Sequence, residues 1–276
     1  MDQIKILVAT HKSVTVPSFG KCYELIQVGA ALHDKLNYIC DNTGINISEK
    51  NATYCELTAL YWGWKNLHCE YKGLCHYRRY LAKNYFSLND KKNVFSEKEL
   101  LSILTDHDII VPQKKYRDLN NSWYPDLKEL EKDRSYSVIK QAILKLCPDY
   151  TKALNKVFLS KKMFFCNVMI AKATIYDSYC EWLFGLEKEI ENILNQQGGI
   201  QPREMGFLSE WLLNVWIEKN NSRLNVMYTP LARVDRPKNI RQILFVLLER
   251  TKLLYVAEKF KYERIYSKAT KRKVTL

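Results

Sequence analysis

No two of the eight cysteines form a C-x-x-C pair, and none joins a metal-ligand cluster. That argues against a zinc ribbon or a disulfide framework and leads us to expect reduced thiols. No stretch approaches the roughly 20 uninterrupted apolar residues of a membrane span. The opening run Met1–Val8 goes straight into a strand pattern and lacks the long apolar core of a signal peptide. The expectation is a cytoplasmic protein that lies on the inner face of a membrane at most. Internal repeats and low-complexity segments are also missing. Acidic residues are in deficit, with 30 Asp and Glu against 43 Lys and Arg, a formal charge of +13. This balance favours anionic partners: nucleic acid, an acidic membrane surface or a phosphorylated substrate.

What is present is a chain of 276 residues, 47% hydrophobic. That suffices for one large α/β domain with a helical appendage. Its centre is the stretch from Leu57 to Tyr80. Leu57, Leu60, Tyr61 and Trp64 fall at helical spacing. Lys65-Asn66 suits a helix end. Gly73-Leu74-Cys75 has the small apolar character of a central strand. His76, Arg78 and Arg79 arrive where the apolar run stops. Ligands of open α/β sheets bind outside the carboxyl ends of strands. Two guanidiniums and an imidazole there suit a phosphate or diphosphate. A basic strand end paired with surface carboxylates is the plain alternative, and spacing does not separate the two.

Ile4–Ala9 reads as the first strand, with Thr10, His11 and Lys12 at its carboxyl end, either in the same cleft or in a solvated loop. Tyr23–Val28 is a second short strand. The turn-rich segment Asp41–Ser48, which includes Asn42, has the character of a ligand-binding loop. Asn51 is a candidate N-cap for the aromatic helix. Glu56, in its first turns, fits a purely structural role beside the helix dipole. Ser96 with Glu99 forms a capping-box pattern. Asp108–Pro112 is a further strand, closed by its proline, and the segment from Gln113 to Arg134 is a long insertion. Helices are expected over Ser135–Leu146, Thr151–Leu159 and Ile175–Leu194. Lys162–Ala171 reads as one strand with Asn167 embedded as a core amide. Gly206 breaks the chain, and a helix begins near Ser209. Its Glu210 either projects into a cleft as a general base or pairs with Arg203. Val226–Tyr228 is a last strand.

Several blocks in order resemble one family: Val8–Lys12, Gln27–Ala30, Asp41–Ser48, Asn51–Asn66, Gly73–Tyr80 and Met205–Val215. The most specific are Tyr54–Trp62 and Leu74–Tyr80. They are similar to the bacterial capsular and exopolysaccharide glycosyltransferases catalogued as domain of unknown function 4422, over roughly residues 4 to 235. The resemblance implies a GT-A-like, Rossmann-type α/β sandwich over residues 1–235; the remainder, 236–276, reads from its own residues as a basic helical tail. The resemblance also implies transfer of a sugar, with galactofuranose the leading candidate, from a UDP-sugar to a lipid-linked saccharide acceptor. The chain departs from the family pattern at Ile45, usually Asp, and at Trp211, often Arg.

Many GT-A enzymes hold a divalent metal on an Asp-x-Asp motif at the central strand. Here that strand ends in His76-Tyr77-Arg78-Arg79. The expectation is therefore metal-independent, inverting catalysis with no cofactor beyond the donor. Thr10, His11, Lys12, Asn42, Asn51, His76, Arg78 and Arg79 would hold the donor diphosphate. Glu210 would act as base, with Asp41 the second choice. Two other readings compete: a nucleic-acid-binding module, against which no binding motif appears, and a non-catalytic assembly protein. Apolar residues interleave with the cations of the tail, the pattern of a helix lying on an anionic membrane. A packed C-terminal helix is the alternative.

Overall fold

The computed structural model describes residues 2–14, 19–84, 90–116 and 126–235, and for Asp90 and Tyr116 the backbone alone. The tail from 236 onward and part of the 113–134 insertion lie outside the described residues.

The chain enters through β1 (Ile4–Thr10), followed by β2 (Tyr23–Gln27) and β3 (Ile39–Cys40). A single 3-10 turn over Ser48–Lys50 runs into α1 (Asn51–Tyr54), then α2 (Leu57–Asn66), β4 (Tyr71–His76) and β5 (Arg79–Leu81). α3 (Asp90–Asn93) and α4 (Glu97–Asp106) lead to β6 (Ile109–Pro112) and β7 (Lys115–Tyr116). α5 (Leu127–Leu130), α6 (Arg134–Leu146) and α7 (Thr151–Leu159) precede β8 (Lys162–Met163) and β9 (Met169–Lys172). The described chain closes with α8 (Ala173–Gln196), α9 (Glu204–Asn220), β10 (Val226–Thr229) and β11 (Leu231–Arg233).

One mixed sheet runs β10-β6-β9-β4-β1-β2-β3, with β5 and β11 attached beside β4. β1 pairs in parallel with both β2 and β4, while β9 runs antiparallel between β4 and β6. Ala9 therefore sits opposite His76, and Leu74 opposite Met169. These registers bring the ends of β1 and β4 and the start of β9 to one edge.

Alternation along β1 sorts the core onto the two faces of the sheet. Leu7 and Ala9 pack with α2 and α6–α9, whereas Ile4, Ile6 and Val8 pack with Leu100 and Leu104 of α4. α2 lies very close to the sheet. A Cβ on Gly63 would stand 2.8 Å from the Tyr176 hydroxyl and 2.9 Å from Leu7. Tyr176 donates its hydroxyl to Leu60 O at 3.1 Å, so this helix needs a residue without a side chain there. Tyr61 and Trp64 face Phe184 of α8, Trp64 stacking on it.

Several local expectations change. Asn51 is not an N-cap: the 3-10 turn runs into α1, and the Asn51 amide instead donates to Cys55 O and Thr58 Oγ1 at the break before α2. The Lys162–Ala171 strand is two short strands with a bend between them, Cys166 taking φ 74°. α9 starts at Glu204 rather than Ser209, so Gly206 lies inside its first turn and Glu210 in its second. The capping box at Ser96 and Glu99 forms as its spacing requires.

Candidate active site

The shared strand edge carries the cations. Tyr77 is their platform: the Lys12 ammonium and the Arg78 guanidinium lie 5.6 Å and 5.0 Å from its ring centre, and the His11 ring meets it edge-on. Thr10 is buried, and its hydroxyl donates to Lys12 O at 2.7 Å, fixing the turn after β1. Among the described residues no carboxylate lies within ion-pair distance of Arg78 or Arg79, and the buried Arg78 Nε has no hydrogen-bond partner. A guanidinium N–H that has lost water without gaining an acceptor is costly. An anionic ligand would repair that deficit.

The two histidines are not cations here. Burial, reinforced by Arg79, Arg78 and His11, pushes His76 down to about 3, with only Asp235 opposing. Its Nδ1 accepts from the Arg78 backbone N–H at 3.4 Å, as a neutral ring does. His11 is lowered as well, by burial and then by Lys12, Arg78, His33 and Arg203. At neutral pH the positive charge at this edge comes from Lys12, Arg78, Arg79 and Arg203, and His76 can serve only as a neutral hydrogen-bonding group.

Arg79 and Arg203 act on Glu210, one of a carboxylate pair with Glu56. Burial first, and then the Glu56 charge, raise Glu210 to about 7. A hydrogen bond from the Cys166 backbone, then Arg79 and Arg203, act the other way. The alternative Glu210–Arg203 ion pair does not form. The Arg203 guanidinium lies over the Phe207 ring at 5.0 Å and hydrogen-bonds the Cys55 thiol.

Glu56, given only a structural reading from its sequence position, accepts from Asn167 Nδ2 at 2.9 Å. The same amide reaches Gly206 O at 3.2 Å, while Asn167 Oδ1 is buried without a partner. Asn167 is thus half satisfied rather than a fully paired core amide. The three described non-glycine residues with positive φ, Cys55, Cys166 and Arg203, flank Glu56, Asn167 and α9. Such strain persists only where surrounding contacts over-determine it, and it concentrates at functional sites. Gly206 allows the close approach: a Cβ there would sit 3.2 Å from Cys55 Cβ. These partners come from segments far apart in sequence, so no local pattern announced them. The only signal was an Asn inside an apolar run.

Asp41 is elsewhere. It is fully buried, and its carboxylate accepts from Gly29 N at 2.9 Å, Ala30 N at 3.0 Å and the Ser48 hydroxyl. It holds the 41–48 loop together and leaves no face toward an acceptor. Trp62 Nε1 donates to Thr43 O, and Asn66 brackets the Ile45 backbone, so α2 clamps the same loop. Asn42 is half-buried beside Asp41. The Asn51 amide is spent on the α1–α2 break. Of the two departures from the family pattern, Ile45 is exposed on the loop and Trp211 stacks on Phe158 of α7.

Asp108 lies at the opposite end of the sheet from the cations, bonded to Lys172 Nζ and Asn225 N. No group of three His, Cys, Asp or Glu side chains among the described residues is arranged to hold a metal ion. No described helix is long and apolar enough to cross a membrane. A separate cavity of about 530 Å³ opens on the β1–β3 face, lined by Phe19, Tyr23, Leu25, Tyr38 and Tyr80. Its described lining has no cationic side chain.

Among solved structures, the chain is similar to the bifunctional glycosyltransferase WbbM in its apo form. The TM-score is 0.73 and the identity 26%, over 85% of this chain and 46% of that one. The chain therefore spans less than half the length of that protein. No curated protein matches it. The fold is an α/β sandwich of the GT-A-like kind, with a mixed central sheet. The sequence pattern of one family fits residues 5–221, and the chain belongs to that family, described as domain of unknown function 4422.

Proposed function

We propose that this chain is an inverting glycosyltransferase. It takes a sugar, galactofuranose being the first to test, from a UDP-sugar and passes it to a saccharide acceptor carried on lipid at the inner membrane face. The observation that carries the reading is a carboxyl, Glu210, raised to about 7 with Arg79 acting on it, at a sheet end where Arg78 and Arg79 have no carboxylate partner among the described residues. The similarity to a bifunctional glycosyltransferase supports the same class.

In this reading the acceptor hydroxyl oxygen attacks the anomeric carbon and its proton passes to Glu210. The bond from that carbon to the diphosphate oxygen breaks, and UDP leaves with the electron pair. Arg78 and Arg79 neutralise the developing charge bidentately, the task a metal performs where a carboxylate motif holds one. Lys12 adds charge, and neutral His76 a hydrogen bond. A base whose pKa lies near the working pH is the efficient choice.

The test is calorimetric titration of UDP into the wild type and the Arg78→Ala and Arg79→Ala variants. Each should lose about 1.5–3 kcal/mol of binding, one charge-assisted partner. His76→Asn should lose less. Unchanged affinity in both folded arginine variants would overturn the diphosphate assignment. Activity that EDTA abolishes and manganese restores would overturn the metal-independent step.

A further inference from the structure

The residue that the reaction scheme leaves unused is Glu56. Its carboxylate is held at the α1–α2 junction by Asn167, and the same Asn167 amide grips the carbonyl of Gly206. Gly206 lies four residues before Glu210 on α9, one helical turn away on the same face. Ser209 Oγ also donates to Gly206 O, at 2.7 Å. One buried amide therefore ties Glu56 to the turn of α9 that carries Glu210. On either side the backbone is forced into the left-handed half of conformational space, at Cys55 next to Glu56 and at Cys166 next to Asn167. A carboxylate with only a structural role would not need to be held beside a second one. Two like charges in one cleft repel, and their proximity is ordinarily avoided.

We propose that Glu56 is a positioning residue: Asn167, bonded to both Glu56 and the α9 turn that carries Glu210, fixes the Glu56 negative charge beside Glu210 so that Glu210 accepts the proton of the acceptor hydroxyl. The inference rests on Glu210 as the base of the proposed reaction. The charged and titratable groups acting on Glu210 are Glu56 from the α1–α2 junction, Arg79 from β5 and Arg203 at the head of α9. Cys55 and Cys166 adjoin them. Burial raises both thiols, Cys166 to about 12, so they stay neutral and leave Glu56 as the negative neighbour. Arg79 and Arg203 pull in the opposite sense, which makes Glu56 the counterweight. A carboxylate of lower proton affinity would be a weaker base toward a sugar hydroxyl.

The experiment is a carbon-13 NMR titration of Glu-labelled protein, with the Glu210 signal assigned by its loss in Glu210→Gln. It is repeated for Glu56→Gln and Asn167→Ala, alongside the pH dependence of kcat/KM. Glu56→Gln keeps an acceptor for Asn167 and removes only charge. It should lower the Glu210 midpoint by on the order of one pH unit and move the acidic limb of kcat/KM by the same amount. Asn167→Ala, checked for fold by circular dichroism, should produce a smaller shift in the same direction. An unmoved Glu210 midpoint in Glu56→Gln would overturn the proposal. So would loss of turnover at every pH without a shift, which would place Glu56 on the substrate itself. A shifted midpoint with turnover unaffected by Glu210→Gln would uphold the coupling and overturn only the assignment of the base.

Discussion

Asp41 and Glu210 are both acidic side chains beside the same sheet edge, and they have opposite environments. Asp41 accepts from two backbone N–H groups and a hydroxyl in a closed loop. Glu210 is half-buried opposite Glu56, with a single backbone hydrogen bond and two arginines to compensate. The first carboxylate uses its lone pairs to hold a fold. The second keeps its proton affinity high and its lone pairs available. Residue type and position near a strand end do not distinguish a carboxyl of raised proton affinity from a clamp, but the supply of local N–H donors does.

The strongest way to break that contrast is to neutralise each in turn. Glu210→Gln should lower turnover by about 10²–10⁴-fold and leave UDP affinity unchanged. Near-normal turnover would assign the proton transfer to another group. The pH profile of the wild type should sharpen the picture. A base raised to about 7 is protonated below that value and cannot accept, so turnover should fall toward tenfold per unit as pH drops below about 7. A flat profile from pH 5 to 8 would exclude Glu210 as the titrating base.

Asp41→Asn should do the reverse of Glu210→Gln. Losing charge-assisted bonds to Gly29 and Ala30 should cost about 1.5–3 kcal/mol of stability, read by thermal or urea unfolding. Turnover per folded molecule should persist. A folded, stable and inactive Asp41→Asn would return Asp41 to the chemistry.

A third acid extends the comparison with a smaller effect. Glu187 of α8 is fully buried, and neither carboxyl oxygen has a partner among the described residues. Burial, then Glu191, hold its pKa well above the usual carboxylate range. A carboxyl raised in the folded state contributes fully only below its unfolded value near 4.3, and that contribution is lost as pH rises toward the folded pKa. Glu187→Met should therefore stabilise the protein by about 1–3 kcal/mol, the cost of an unsatisfied buried polar group. The gain should be larger at pH 7 than at pH 4. An equal gain at both pH values would mean that Glu187 is not neutral in the folded state.

The long regular elements were legible in the sequence because each carries its own signal. The aromatic spacing of 57–66, the apolar runs 4–9 and 73–75 and the Ser96–Glu99 box all gave elements near their expected bounds. So did the helix over 151–159. The polar groups at the ends of β1 and β4 were legible for the same reason, since an apolar run that stops in basic residues marks a strand's carboxyl end. The short range of these signals explains the misses. The bend at Cys166-Asn167 reads as a continuous apolar strand until the demands of Glu56 and Gly206 on Asn167 are known. The start of α9 at Glu204 depends on Arg203 accepting a left-handed conformation while its N–H bonds Ala52 O.

The sequence by itself determined the α/β alternation, the two-sided core of the first strand and the basic character of the sheet edge. Hydrophobic period and charge are properties of neighbouring residues, and burial of one face follows from them. Only the tertiary structure decided what the charged groups do. It made His76 neutral by burying it among arginines, turned Asp41 into a loop clamp, and set Glu56 and Asn167 against α9. Proton affinity depends on desolvation and on charges a few ångströms away. Those neighbours come from β5, the α1–α2 junction and α9, which meet only when the sheet has formed.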